Sequence, residues 1–237
     1  MDSHRAFVMN LGSVHLLVLL GGLMWHRRDR LCRSFFVYAL AVFLGDRLIL
    51  TWPERFDTAR FWLFKEALYW VLKLAVATEI GLLTFARLPR ARNFLSALVA
   101  GLAAAALLVQ LVPSAAKPGD QMAWVSVASP RGQASLLVVL LAVVLTAVVL
   151  TAAQYFRAPV HPFHRSLLVG FALYLVAYTA ALTLLRELGA PGYRYFLALD
   201  STAYNATVGV WTWAAWRRAP ELSPGARILQ PWAGAAW

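Results

Sequence analysis

Four charged side chains stand inside one apolar stretch, Phe61 to Ala86, that is long enough to cross a bilayer. They are Lys65, Glu66, Lys73 and Glu79. A charge at membrane depth costs roughly 2.5 to 3.5 kcal/mol on insertion scales, so each of these groups needs a partner or water. At about 100° per residue, the four share an arc of about 140° on the helix surface. That arc is predicted to face protein or water, and the opposite side to face lipid.

The sequence lacks the motifs that common classes of enzyme chemistry require. There is no GxSxG nucleophile motif, no HExxH zinc motif and no Gly-rich phosphate loop. His161 and His164 flank a proline, and no nearby side chain completes a tetrahedral metal set. The last apolar stretch contains no lysine, which excludes retinal bound as a Schiff base. The sequence therefore predicts a non-enzymatic protein with no metal and no other cofactor.

The composition places these charges in a membrane protein. Of the 237 residues, 61% are hydrophobic and 14% are charged, and the mean hydropathy is +0.63. Such a chain has too little polar surface to cover a soluble domain. The net charge of +11 lies in short clusters at the ends of apolar runs, which is typical of topology signals and not of a nucleic-acid surface. Cys32 is the only cysteine, which excludes an intrachain disulfide.

Seven apolar runs of about 20 to 26 residues predict an all-α bundle of seven transmembrane helices. The predicted spans are 6–25, 34–53, 61–86, 93–114, 135–156, 166–186 and 194–216. They form one membrane domain over residues 1–216. The long connection 115–134 is predicted to lie on the outer surface or to cap the bundle. The tail 217–237 is expected to be disordered and cytoplasmic.

The distribution of Lys and Arg predicts the orientation of the bundle. With the N-terminus outside, twelve of these residues flank the inner ends of the spans and seven flank the outer ends. Cytoplasmic segments carry the excess of positive charge in membrane proteins. We therefore expect the N-terminus outside and the C-terminus inside.

In this topology, charged side chains from three spans reach the same depth near the outer side. Three carboxylates meet three cations, so the second, third and seventh spans can satisfy one another. The predicted layer consists of Asp46, Arg47, Lys65, Glu66, Tyr69, Lys73 and Asp200. Three interpretations are open: an ion-paired cluster that fixes helix packing, an outward-open pocket for a ligand or ion, and a path for protons or solutes. Glu79 lies deeper and marks a second, inner polar site.

One pattern carries a family resemblance. Phe35-Phe36-Val-Tyr38 opens the second span, Phe64-Lys-Glu66-Ala-Leu lies in the third, and Glu79 follows the first glutamate by thirteen residues. With a short turn containing Gly and Pro between the last two spans, this pattern resembles a family of uncharacterised seven-helix bacterial membrane proteins. The resemblance implies seven spans, a bacterial inner membrane and a match of the family's two glutamates to Glu66 and Glu79. It implies no activity, and Lys65 and Lys73 depart from the pattern.

Three functions from different classes fit these features. The first is a receptor-like or sensory module, or another ligand-binding membrane protein, that needs a partner to read its inner loops. The second is a structural or accessory subunit of a larger membrane complex, in which the charged layer holds helices together. The third is a proton-coupled small-solute transporter. The expected location is the inner membrane, multi-pass. The expected partners are the lipid bilayer and either another membrane protein or a second copy of this chain, with no nucleic acid; the ligand's identity stays open.

Overall fold

The computed structural model describes residues 3–86, 92–94, 97, 100–101, 151 and 160–217. This part of the chain is helical and contains no strand. The fourth and fifth predicted spans, 93–114 and 135–156, lie almost wholly outside the described residues. The predicted outer connection 115–134 and the tail beyond residue 217 also lie outside them.

The described helices follow five of the seven predicted spans, with each end within four residues of its predicted place. Short 3-10 turns follow the first helix and precede the last. The helices are α1 Ser3–Trp25, α2 Arg33–Thr51, α3 Pro53–Phe56, α4 Ala59–Thr84, α5 Pro162–Leu188 and α6 Tyr193–Trp216. The third, sixth and seventh predicted spans correspond to α4, α5 and α6.

Two of these helices are long and apolar enough to cross a membrane. They are α2, over Arg33–Thr51, and the Pro162–Leu185 segment of α5. A shorter apolar segment, Met9–Trp25, makes up most of α1. The other two long helices are α4, which carries five charged side chains, and α6, which carries Arg194 and Asp200 together with several hydroxyl and amide side chains.

Local sequence explains where two of the long helices begin and where one ends. Thr58 caps α4, and its hydroxyl oxygen accepts a hydrogen bond from the Phe61 amide at 3.4 Å. His161 caps α5 through its ring nitrogen, and Pro162 follows at the first helical position, where a missing amide hydrogen costs nothing. The same helix ends at Gly189, whose positive φ of 61° favours glycine.

The first and last described helices run parallel. His15 Nδ1 lies 3.2 Å from Asn205 Oδ1 near the middle of both helices. Further along, the Trp216 indole donates a hydrogen bond to the Val18 carbonyl at 3.0 Å. The two helices therefore end at the same end of the bundle.

Two pairs of contacts set α4 antiparallel to α2. Near the start of α4, Lys65 reaches Asp46 close to the end of α2. Near the end of α4, Glu79 reaches Ser34 at the start of α2. The C-terminal end of α4 thus lies beside the N-terminal end of α2.

The start of α5 joins the same end of the bundle. His164 Nε2 lies 3.0 Å from the Leu31 carbonyl, just before α2 begins. We call this end, where α1, α4 and α6 finish and α2 and α5 begin, the basic end. Its arginines are Arg27, Arg28, Arg30, Arg33, Arg165 and Arg217. The chain therefore leaves α4 and enters α5 at the same end.

Aromatic side chains from α2, α5 and α6 form the centre of the core. The ring of Phe35 lies 5.1 Å from Trp211, and Phe171 lies 4.6 Å from the same indole. Trp211 is fully buried and packs on Gly170, where a methyl group would overlap its indole. Tyr38 extends this cluster toward α4. These interlocked rings fix the distance at which α5 and α6 pack.

Candidate functional site

A buried ion pair joins α2 and α4 in the predicted charged layer. Lys65 Nζ lies 3.1 Å from Asp46 Oδ1, and the two side chains are 7% and 16% exposed. The ammonium also lies 3.9 Å from the centre of the Trp62 ring and 5.5 Å from that of Tyr69. A carboxylate and two aromatic faces together replace much of the water that the buried cation loses.

Tyr69 occupies a gap that a glycine leaves between the same two helices. Its hydroxyl lies 3.4 Å from the carbonyl oxygens of Ala41 and Val42 on α2. A Cβ at Gly45 would lie 2.5 Å from this hydroxyl and 3.1 Å from the Lys65 side chain. The absence of a side chain at Gly45 is what lets Lys65 and Tyr69 enter the layer.

Asp200 and Lys73 meet around a tyrosine of α5. The Tyr174 hydroxyl donates a hydrogen bond to Asp200 Oδ1 at 3.0 Å. Lys73 Nζ lies 5.2 Å from the centre of the same ring, within the range of a cation–π contact. The sequence predicted a place in the layer for both charged residues but did not identify α5 as the helix between them.

Tyr204 lies between the two halves of the layer. Its hydroxyl interacts electrostatically with Tyr38 and Asp46 of α2, with Tyr69 of α4 and with Asp200 of its own helix. The ring of Tyr174 packs edge-on against the ring of Tyr204, with 5.7 Å between the two ring centroids. The hydroxyl is buried, and no hydrogen-bond partner for it occurs in the described part of the chain. Tyr204 is thus a buried, unpaired hydroxyl that interacts with charged groups from both halves of the layer.

Arg47 extends the layer to α1, a helix that the sequence did not assign to it. One guanidinium nitrogen donates a hydrogen bond to Asn10 Oδ1 at 3.0 Å, and the group lies 5.9 Å from the Phe43 ring. Its Nε is buried, and the described residues offer it no partner. The remaining predicted member, Glu66, has its backbone in α4, but its side chain lies outside what the structure describes.

Glu79, predicted as an inner polar site, caps the N-terminus of α2. Its carboxylate accepts hydrogen bonds from the backbone amides of Arg33 at 3.0 Å and Ser34 at 2.8 Å. The Ser34 hydroxyl and the Cys32 thiol, the latter at 3.6 Å, donate to it as well. An anion at a helix N-terminus satisfies free amides and complements the helix dipole. Here the anion comes from α4 and not from the residues before α2.

Arg28 plays the opposite role at the C-terminus of α6. Its guanidinium donates to the carbonyl oxygens of Ala214 and Arg217 and lies 5.4 Å from the centre of the Phe163 ring. The side chain is buried, and burial lowers the pKa of this guanidinium from its usual value. Sequence reasoning treated Arg28 only as a topology signal, and nothing in its local sequence separates it from the neighbouring exposed arginines.

The histidine pair at the start of α5 is structural. His161 Nδ1 accepts a hydrogen bond from the Phe163 amide at 3.2 Å, which requires that nitrogen to be unprotonated. Burial, with the nearby charges of His164 and Arg28, lowers the pKa of His161 to about 4. Within the described residues, no group of three potential ligands is arranged to hold a metal ion.

The single cysteine lies beside this cap in an inert form. Burial, followed by the charge of Glu79, raises the pKa of the Cys32 thiol to about 12. A thiol in this state is a weak nucleophile and a poor metal ligand. Cys32 therefore acts as a small buried side chain and a weak hydrogen-bond donor.

The chain matches no protein-family model, no curated protein and no solved structure. The family resemblance drawn from Phe35, Glu66 and Glu79 therefore stays a prediction.

Proposed function

We propose that the chain is a multi-pass protein of a bacterial inner membrane, with seven spans, the N-terminus outside and the C-terminus inside. The two apolar helices of spanning length support this proposal. So does the common end of α4 and α5, because the stretch between Thr84 and Pro162 must then cross the bilayer an even number of times. The two predicted spans in that stretch satisfy this condition. The arginines of the basic end would face the cytoplasm.

Within this architecture, we propose a receptor-like, non-enzymatic function in which the charged layer binds a small polar ligand. The observation that carries this is the buried Tyr204 hydroxyl, which interacts electrostatically with Asp46 and Asp200 and has no hydrogen-bond partner among the described residues. A buried polar group without a hydrogen bond costs about 1 to 3 kcal/mol. Water or a ligand that accepts a hydrogen bond from this phenol would remove that cost.

The position of Tyr204 suits a signal between helices. A ligand at its hydroxyl would lie within reach of groups on α2, α4 and α6, and Tyr174 joins α5 to the same place. Binding would therefore change contacts among four helices at once. Since the layer contains both carboxylates and cations, we expect a ligand with polar groups of more than one kind.

A second candidate is a structural or accessory subunit of a membrane complex. The closed pair between Lys65 and Asp46 favours it, because a satisfied ion pair needs no ligand. In that case the protein would purify with another membrane protein in a fixed ratio. The receptor proposal predicts instead a chain that is stable without such a partner.

The receptor proposal is tested with Tyr204→Phe and the control Tyr195→Phe, whose parent side chain is 62% exposed. Amino acids, organic acids and polyamines are added to each purified protein in detergent, and the Tm is measured. We expect at least one compound to raise the Tm of the wild type and the control, and to raise that of Tyr204→Phe by less than half as much. Without compound, Tyr204→Phe should have a Tm equal to or above that of the wild type, because no hydrogen bond is lost and an unpaired buried hydroxyl is removed. The pocket would be rejected if Tyr204→Phe lost about 1 kcal/mol of unfolding free energy and no compound raised the Tm of the wild type.

A further inference from the structure

Tryptophan and arginine side chains gather where α1 and α6 finish side by side. Trp25 and Trp213 are exposed by 77% and 58%. Arg217 continues α6 and places its guanidinium 4.9 Å from the centre of the Trp213 ring. Arg27, also exposed, follows α1. Two exposed indoles and two exposed guanidinium groups thus lie at the shared end of α1 and α6.

Exposed apolar stripes lead along both helices to these residues. At about 100° per residue, Val14, Val18 and Trp25 fall within about 40° of one another on α1. On α6, Val210 and Trp213 lie within about 60° of each other, and Arg217 continues their line. These side chains are all exposed.

The parallel course of α1 and α6 places the two stripes together. The contacts of His15 with Asn205 and of Trp216 with Val18 define which faces of the helices meet. Viewed from the same end, the stripe of α1 is rotated about its helix axis in one direction from the face that contacts α6. The stripe of α6 is rotated in the opposite direction from the face that contacts α1. For two parallel right-handed helices, opposite turns point to the same side of the pair. The stripes therefore form the two walls of one shallow groove.

The floor and the end of this groove differ in chemistry. Gly209 lies between the stripe of α6 and the face of α6 that contacts α1, and a Cβ there would meet nothing within 4 Å, so the groove has open space at this point. At the basic end, the Trp216 ring packs edge-on against His26 at 5.7 Å, and Arg28 holds the last carbonyls of α6 in place. A fixed end with exposed cations thus closes an apolar groove.

We propose that this groove binds an anionic glycerophospholipid, with its phosphate at Arg27 and Arg217 and its acyl chains along α1 and α6. The apolar stripes match the acyl chains, the tryptophans match the interface, and the arginines match the phosphate. An acidic peptide would satisfy the arginines but would not need the stripes. The inference rests on the proposed membrane location and on no property of the charged layer.

The test compares two double variants with the same loss of charge. Arg27→Gln with Arg217→Gln removes the cations of the groove, while Arg33→Gln with Arg165→Gln removes two exposed arginines of the same end on α2 and α5. Full-length protein in detergent is titrated with phosphatidylglycerol or phosphatidylcholine, and bound lipid is counted by native mass spectrometry. We expect the wild type and the control to prefer phosphatidylglycerol. In the groove variant, its affinity should fall about fivefold for each arginine.

Several outcomes overturn the inference and leave the membrane proposal standing, and one further outcome rejects the membrane proposal itself. Equal binding of both lipids by the wild type, or equal losses in the two variants, would reject the groove as the site. Glycerol 3-phosphate that competes as well as the intact lipid would identify a free phosphate ester as the ligand. Extraction of the protein from membranes by alkali would reject the membrane location itself. Trp213→Leu, with all charges kept, should also weaken phosphatidylglycerol binding, and wild-type binding by it would reject the role of the indole.

Discussion

Lys65 shows how this chain keeps a cation away from water. One carboxylate oxygen of Asp46 lies 3.1 Å from its ammonium, and the centres of the Trp62 and Tyr69 rings lie 3.9 and 5.5 Å from the same group. A single ion pair in a medium of low dielectric seldom offsets the desolvation of both partners. Two aromatic faces add attraction without adding another group that must be desolvated.

Removing one partner of this pair tests whether the layer is structural. Lys65→Met leaves the Asp46 carboxylate unpaired, and Asp46→Asn leaves the ammonium unpaired. If the pair holds the helices together, each single change should cost about 3 to 5 kcal/mol of unfolding free energy, and the double variant should recover much of that loss. Tm in detergent, with Glu187→Gln as an exposed control, measures this. Wild-type Tm in both single variants would show that water screens the pair, as in an open pocket.

The residue types showed that the charges of the layer need partners, but they did not show which residue each partner would be. The cost of a buried charge required an acid for Lys65, and the structure places Asp46 there. The same reasoning gave Arg47 a place among the carboxylates, whereas its guanidinium binds Asn10 on α1. Hydrogen-bond capacity is readable from sequence, but the choice between two acceptors of similar depth depends on helix rotation.

At the scale of the helices, two helix ends, the N-terminus of α2 and the C-terminus of α6, are completed by groups from distant elements. Cys32, at the N-cap of α2, makes no capping hydrogen bond of its own, and Glu79 supplies the acceptor from α4. Arg28 supplies donors to the last carbonyls of α6. These contacts satisfy groups that every helix leaves free at its ends. They also hold the basic end together, because the charged side chains of Glu79 and Arg28 bond to backbone groups of other helices.

The helix bounds were predictable from hydrophobic runs, but these tertiary caps were not. The run lengths placed α1, α2, α4, α5 and α6 within a few residues because apolar length is a property of the local sequence. A cap from another helix leaves no local pattern, since Glu79 lies 45 residues from the Ser34 amide that it accepts from. Glu79 was predicted as an inner polar group because it is an acid in an apolar run, and its role depends on packing.

Close approach of α5 and α6 depends on Gly170. A methyl group there would overlap the Trp211 indole, which the rings of Phe35 and Phe171 hold in place. Gly170→Ala should therefore lower the unfolding free energy by about 1 to 3 kcal/mol, seen as a lower Tm in detergent. Gly209→Ala is the matched control, because a Cβ there meets nothing within 4 Å. A control that loses as much as Gly170→Ala would place the cost in the helix backbone and not in the indole contact.

At the scale of the whole molecule, the directions of the described helices limit how many times the stretch between α4 and α5 can cross the proposed bilayer. The first, third and last of the five long helices run one way, and α2 and α5 run the other. Each consecutive pair of these helices is antiparallel, including α4 and α5, which are separated by 77 residues. A stretch of that length, with two apolar runs, can make two further crossings and return to the basic end.

This parity leads to a topology prediction that needs no knowledge of the ligand. Reporter domains fused after Arg92 and after Arg218 should both lie in the cytoplasm, because both points follow the basic end of the bundle. A reporter inserted within residues 115–134 should lie outside, since one crossing separates it from Arg92. Alkaline phosphatase and green fluorescent protein, which are active on opposite sides of the membrane, give a paired readout at each position. A cytoplasmic reporter at 115–134 would mean that the stretch makes no crossing, which would leave five spans and remove the seven-helix architecture. Periplasmic reporters after both arginines would reverse the orientation, and the charged layer would then lie on the cytoplasmic side.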